Sequence, residues 1–487
     1  MNSFLSSDPR AAAAVSRRRF LQMSGGGFGG LALAHLLAGE SRASVFNNHA
    51  SAGTGGGGLH FPAKAKRIIQ LFMNGGTSQM DTFDYKPELA RRHGEMAGPR
   101  EKPEGQTGMP GAVMKSPFEF KQHGQSGRWV SSVFPHQAKH VDRMAFLMAM
   151  TGPTSVHGPG SYIMNTGFQL PGFPSLGAWL SYGLGSENEN LPAYVVLPDV
   201  RGLPYNQRGN FSSGFLPASH QGTVIRAGAA AAVPDLFPGA AWSKAGGEVS
   251  SRGLGILEKL NRAHAAEHPG DSRLEARIDS YELAARMQLS APEAFDLTKE
   301  TEITKKGYGL DQPATEDFGR RCLLARRLVE RGVRFVQVWS GPQGAANNWD
   351  NHGSISGELP PIALGMDQPA AALLEDLDSR GLLEDTLVVW TTEFGRTPFA
   401  QGNGGRDHNG GSYVTWLAGA GVKAGVAYGE SDSLGFKAEV NRTQCYDLHA
   451  TILHLMGIDH EKLTFRHAGV DRRLTDVHGH VISGILA

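Results

Sequence analysis

The sequence predicts an α/β protein with a doubly wound, mostly parallel sheet, helices on both faces and loop-rich insertions. Three observations carry this. Short apolar, β-branched runs recur, among them Arg67-Ile68-Ile69-Gln70-Leu71-Phe72-Met73, Val333-Arg334-Phe335-Val336-Gln337-Val338-Trp339 and Thr386-Leu387-Val388-Val389-Trp390. Runs of this kind read as strands buried on both sides. Segments of helical spacing separate them, the alternation expected of parallel strands joined by helices. The 64 glycines among 487 residues supply the turn conformations that long, shaped loops need.

Charge narrows the function classes. Lys+Arg and Asp+Glu balance at 47 each, so no net field steers the chain to nucleic acid or to an anionic membrane. There is no aromatic-basic stretch of the kind that binds nucleic acid. Two cysteines, Cys322 and Cys445, exclude a disulfide framework and a Cys-rich zinc site. They are compatible with one bridge or with two separate thiols.

In chain order, residues 1–43 read as a twin-arginine signal peptide. Ser16-Arg17-Arg18-Arg19-Phe20-Leu21-Gln22 precedes a weakly apolar Gly25–Ala38 stretch and a small-x-small site at Ser41-Arg42-Ala43. That stretch is too short and Gly-rich for a permanent membrane helix. Residues 44–64 read as a Gly-rich linker. The domain then runs over 65–487, opening on the strand at Arg67–Met73 and the sharp turn Asn74-Gly75-Gly76. Insertions are expected at about 94–127 and 200–250, where Gly and Pro are frequent and no motif stands out. Helices are expected over 130–142, 161–166, 272–289, 316–331, 361–380 and 446–456, and strands over 144–150, 193–197 and 413–417.

The chemistry concentrates where strands end. Glu393 and Arg396 follow the strand at 386–390, and Arg406-Asp407-His408-Asn409 precedes the one at 413–417. After the strand at 333–339 come Trp349-Asp350-Asn351-His352-Gly353, an Asp and a His able to turn toward one cation. Ligands of open α/β sheets sit at the carboxyl ends of strands, and acids with imidazoles in that place suit a metal and an anion. Imidazole and oxygen ligands favour Zn, Mn or Fe over Ca. His157 follows the strand at 144–150, close to the start of a helix whose free N–H groups attract anions. His449 and His454 lie near i, i+5 on one helix and read as structural.

These pieces carry a resemblance. Its most specific pieces are the twin-arginine start, Asn74-Gly75-Gly76 through Asp81-Thr82-Phe83-Asp84, Trp349-Asp350-Asn351-His352-Gly353, Thr392-Glu393-Phe394-Gly395-Arg396-Thr397-Pro398, Arg406-Asp407-His408-Asn409 and Asp447-Leu448-His449-Ala450-Thr451, and the match runs over nearly the whole chain. The chain resembles an uncharacterised, exported, sulfatase-like family of unknown function (DUF1501) in the alkaline phosphatase-like superfamily. The resemblance implies one or two divalent metals at the strand ends and hydrolysis or transfer of phosphate or sulfate esters. It places Asn74 where relatives have an acid, with Asp81 or Asp84 as a substitute. It places His157 at the nucleophile position. No cysteine stands there, so the formylglycine chemistry of true sulfatases is excluded.

The expected function is therefore an exported, metal-dependent hydrolase of a phosphate or sulfate ester, small or polysaccharide. Asp350, His352, Glu393 and His408, with Asn74 and Asp81, would hold a divalent ion (Zn, Mn, Mg or Ca). Arg396 would grip the anion as a fork, and His157 would act as nucleophile or general acid/base. The rival expectation is a non-catalytic binding or scaffold protein on a degenerate phosphatase-like frame. The twin-arginine translocase is the one expected protein partner.

Overall fold

The computed structural model describes residues 59–98, 110–227, 293–344 and 346–487, with parts of 256–283. The signal peptide expected over 1–43, the expected linker up to residue 58 and most of the helix expected over 272–289 lie outside the described residues.

The sheet is built around β1 (Arg67–Met73). The other strands of use here are β2 (Met144–Thr151), β3 (Tyr194–Leu197), β4 (Thr223–Val224), β5 (Phe335–Ser340) and β6 (Thr386–Thr392). They continue with β7 (Gly395–Gln401), β8 (Gly405–Asn409), β9 (Tyr413–Ala418), β10 (Val426–Tyr428) and β11 (Thr443–Gln444). Nine of these form one sheet in the order β10-β2-β9-β6-β1-β5-β3-β4, with β11 also beside β2. β1 lies between β5 and β6, parallel to both. β9 runs antiparallel to both β2 and β6. β7 and β8 form a separate antiparallel hairpin.

Apolar residues of β1 divide by parity, as a period of two requires. Ile69, Leu71 and Met73 join one core cluster, and Ile68 and Phe72 the other. The first cluster receives Leu323, Leu324 and Leu328 of α3 (Glu316–Glu330) and Leu359, Leu373 and Leu374 of α4 (Ile355–Ser379). The second receives Ile163 and Met164 of α1 (His157–Thr166), Trp179 and Leu180 of α2 (Leu176–Leu184), and Leu448, Ile452 and Leu453 of α5 (Cys445–Leu455). Helices therefore cover both faces, and the doubly wound, mostly parallel α/β fold stands on this strand order. No helix among the described residues is long and apolar enough to cross a membrane.

Several local expectations need correction. The span 130–142 is not one helix: Arg128–Ser131 pairs antiparallel with Phe120–His123, and a 3-10 helix follows at Gln137–Arg143. Pro135 between them keeps the preceding residue out of a continuous helix. α1 begins at His157, not Ser161. α4 begins at Ile355, with Pro360, Pro361 and Pro369 inside it, so those prolines do not mark its start. Of the two arrangements left open for Cys322 and Cys445, the structure has the second, two separate buried thiols.

Candidate metal centre

β1, β5 and β6 run parallel, so their carboxyl ends meet at one edge of the sheet. The turn after β1 makes that edge possible. Gly75 has φ +126°, and a Cβ there would stand 2.6 Å from the backbone nitrogen of Asp350. Only glycine allows this approach. The loop after β5 lies directly on the turn after β1, with Trp349 N donating to Asn74 O at 3.0 Å.

Four side chains from three separate parts of the sequence converge here. Ligand atoms of His157, Asp350, His352 and His408 all lie within 4.8 Å of one another. His157 opens α1, Asp350 and His352 follow β5, and His408 comes from β8 of the hairpin. Asp350 Oδ1 accepts from Arg396 Nη2 at 2.6 Å and lies 2.8 Å from His352 Nε2 and 3.0 Å from His408 Nε2. Asp350 Oδ2 stands 3.3 Å from His157 Nε2.

The outer face of each imidazole is also fixed. His157 Nδ1 meets Glu393 Oε1 at 2.7 Å, His408 Nδ1 meets Ser155 O at 2.9 Å, and His352 Nδ1 meets Gln401 Oε1. Each of these partners is an oxygen acceptor, so each Nδ1 carries the hydrogen and the Nε2 of a neutral ring presents a lone pair. The Nε2 atoms of His352 and His408 are only 2.8 Å apart. Two lone pairs so close repel, and a shared cation or proton relieves them. An oxygen holding the second ring nitrogen is the arrangement that orients metal-bound histidines. Three imidazole nitrogens and one carboxylate form a donor set that fits Zn, Mn or Fe better than the oxygen-seeking Ca or Mg.

Electrostatics agree with the geometry. Burial opposes ionisation of Asp350, yet the three histidines and Arg396 hold it far below the usual carboxylate range. Burial lowers His157, but Asp350 and Glu393 outweigh it and raise the ring. Asp350, which accepts a hydrogen bond from the protonated ring, raises His352. Burial pushes His408 down to about 4.

The remaining expected ligands stand elsewhere. Glu393 is fully buried and not among the four. Its Oε1 takes His157 Nδ1 and Gly75 N, and its Oε2 takes Thr392 Oγ1, so it positions His157. Asp81 is engaged by Arg406 Nε at 2.5 Å and by Ser78, all three residues buried. Asp84 pairs with Lys86 at 3.1 Å. Asn74 turns its amide nitrogen to Pro342 O at 2.9 Å and is not one of the four, although its buried Oδ1 has no partner among the described residues.

Two expected catalytic roles also change. His157 joins the cluster through Nε2, the atom a nucleophile or general base would need. Arg396 is fully buried, and its guanidinium is consumed by Gly76 O, Gly75 O, Arg406 O and Asp350. It holds Asp350 and the turn after β1, with no fork left for a ligand. His449, read as structural, is buried on α5 with Nε2 donating to Met164 O at 3.0 Å.

Sequence reasoning missed Tyr205 and Gln401, and it named Phe394 without its packing role. Tyr205 stacks on His157 with ring centroids 4.3 Å apart and planes at 6°. It comes from the 200–250 insertion, where no pattern marked it. Phe394 packs 4.9 Å from both His157 and His408. Gln401 fixes His352 from β7, and only its place opposite the Arg406-Asp407-His408 run in a hairpin would have signalled it.

Comparison with known proteins places this chain in a family. Solved structures similar to the chain include a PsFucS1 sulfatase from Pseudoalteromonas sp., 13% identical, covering 81% of this chain and 68% of that one, with TM-score 0.34. An alkaline phosphatase from the Antarctic bacterium TAB5 is 10% identical, covering 80% and 98%, with TM-score 0.33. The lipoteichoic acid synthase LtaP from Listeria monocytogenes is 9% identical, covering 88% and 79%, with TM-score 0.36. Likeness at this level carries no argument about activity, and the fold assignment rests on the strand order above. No curated protein matches the sequence. The model of the family described as "Protein of unknown function (DUF1501)" matches residues 65–486, and the chain belongs to that family.

Proposed function

We propose that this protein is an exported, metal-dependent hydrolase of a phosphate or sulfate ester. One observation carries the reading: three imidazole Nε2 atoms and a carboxylate converge within 4.8 Å while an oxygen holds every outer ring nitrogen. His157, Asp350, His352 and His408 would hold the ion. A divalent cation there supplies Lewis acidity toward an ester oxygen. The protein's own residues do the positioning. Glu393 fixes the ring of His157, Arg396 fixes Asp350, and Ser155 and Gln401 fix the other two imidazoles. Tyr205 and Phe394 cover ring faces and limit the water that reaches the cluster. Burial pushes the Tyr205 phenol up to about 12, with help from the charges of Asp350 and Glu393, so it stays protonated. Export rests on the twin-arginine pattern at Arg17-Arg18-Arg19-Phe20-Leu21.

The test is a panel of phosphate and sulfate monoesters and diesters assayed with the metal-loaded protein. Hydrolysis should vanish with a chelator, return with one divalent ion, and be lost in Asp350→Asn. Failure of the metal-loaded protein to cleave any ester, or cleavage indifferent to chelation, would contradict the proposal. The first result would favour the non-catalytic binding reading.

A further inference from the structure

A cavity of about 380 Å³ lies beside the cluster, lined in part by Thr151–Ser155, the loop that leads into α1. Thr151, Thr154, Ser155, Asn409, Lys437 and Arg442 line it together with several glycines. Ser155 belongs to both places. Its carbonyl holds His408 Nδ1 at 2.9 Å, and its hydroxyl accepts from Gly410 N at 2.9 Å in the cavity wall. Asn409, the residue after His408, lines the cavity too.

The charge of this cavity is one-sided. Its lining contains two cations and no acid. Arg442 is anchored by Nε donating to Thr151 Oγ1 at 2.9 Å, and no hydrogen bond or ion pair among the described residues engages its two Nη nitrogens. The loop that presents Lys437 is built by Asp432, whose carboxylate accepts the backbone N–H groups of Leu434, Phe436 and Lys437 at 3.1, 2.8 and 3.1 Å. The nearby acid thus fixes the loop through its backbone. The Lys437 ammonium lies over the Phe436 ring, 5.5 Å from its centroid. A guanidinium whose two Nη nitrogens are unengaged and an ammonium lining the same cavity form a pattern that recognises a sulfate, phosphate or carboxylate group.

We propose that this cavity is a second oxyanion subsite, and that the substrate is a polyanion bearing at least one charged group besides the ester cleaved at the metal centre. The inference rests on the hydrolase reading, since it assigns the cavity to the same substrate. It explains where anion recognition resides once Arg396 is withdrawn into the core. Specificity for a multiply charged chain, such as a sulfated oligosaccharide, would follow from the fixed offset between the two places.

The test measures binding of a heparin tetrasaccharide and of its desulfated counterpart to the metal-loaded protein. Wild type is compared with Lys437→Gln and with Lys437→Gln/Arg442→Gln, and metal content is determined in the same samples. Lys437 is exposed, so the single variant keeps the fold even if loss of the Arg442–Thr151 contact disturbs the double one. The expected result is preference for the sulfated probe in wild type, weakened about tenfold in the double variant and part-way in the single one, with metal content unchanged. Equal affinity for both probes in wild type, or equal affinity across the three proteins, would overturn the subsite while leaving the hydrolase reading in place. Absence of metal from wild type would instead remove the reading on which the subsite rests.

Discussion

The roles of individual carboxylates separate by what each one touches. Asp350 faces three imidazoles, Glu393 faces the back of one, and Asp81 faces none. Each predicts a different phenotype. Asp81→Asn leaves Arg406 buried without its counter-charge, a loss of about 3–5 kcal/mol. Chemical denaturation should register that loss while metal content stays the same; loss of the metal would make Asp81 a ligand after all. Glu393→Gln should keep the stoichiometry but weaken metal affinity about 10–100-fold, the usual cost of disturbing an outer partner of a ligating histidine. A competition titration against a chelator measures this, and complete loss of binding would promote Glu393 to a direct ligand. At this scale the sequence named the right residue types, but not which of them converge. Glu393, Arg396 and Asp81 differ from the four clustered residues in which neighbours consume their polar atoms, and no spacing in the chain encodes those neighbours.

The loops at the strand ends decide whether the four ligands meet. The turn after β1 approaches Asp350 so closely that a Cβ on Gly75 would lie 2.6 Å from its backbone nitrogen. The same glycine gives its N–H to Glu393 and its carbonyl to Arg396. Gly75→Ala should therefore cost about 1–3 kcal/mol in backbone strain and also weaken metal binding by shifting Asp350. A variant with lowered Tm and unaltered metal affinity would show that the turn supports the fold alone. The elements themselves were largely legible, because apolar β-branched runs and Gly-bounded helices announce β1, β5, β6 and α3. The span 130–142 was misread because Arg128–Ser131 takes its structure from a hairpin partner at Phe120–His123, a pairing outside any local window. Tyr205 reaches the site from an insertion with no periodic signal, so its stacking on His157 is a purely tertiary fact.

For the whole molecule, the fold brings the ligand loops together and buries groups that make it sensitive to acid. His449 is fully buried, and burial pushes its ring down to about 4. Unfolding returns it to about 6.5, so below that pH the unfolded chain binds more protons than the folded one. Its contribution is therefore intact above about pH 6.5 and is lost as pH falls toward 4, at roughly 1.4 kcal/mol per pH unit. His449→Gln, which keeps a donor for Met164 O, should flatten the loss between pH 6.5 and 4 in urea titrations; an unchanged slope would assign acid sensitivity to other groups. The doubly wound order was predictable because helix–strand alternation dictates it. Asp350, His352 and His408 were grouped from their places at strand ends and from the resemblance. The assembly in which His157 joins them within 4.8 Å while Glu393 stands behind it was not predictable, since no sequence separation encodes those distances. That assembly is the central claim, and elemental analysis tests it most directly. The folded wild type should carry close to one divalent ion per chain, and His352→Ala/His408→Ala should carry none. A wild type that stays metal-free after reconstitution, or a double variant that keeps its metal, would contradict the account.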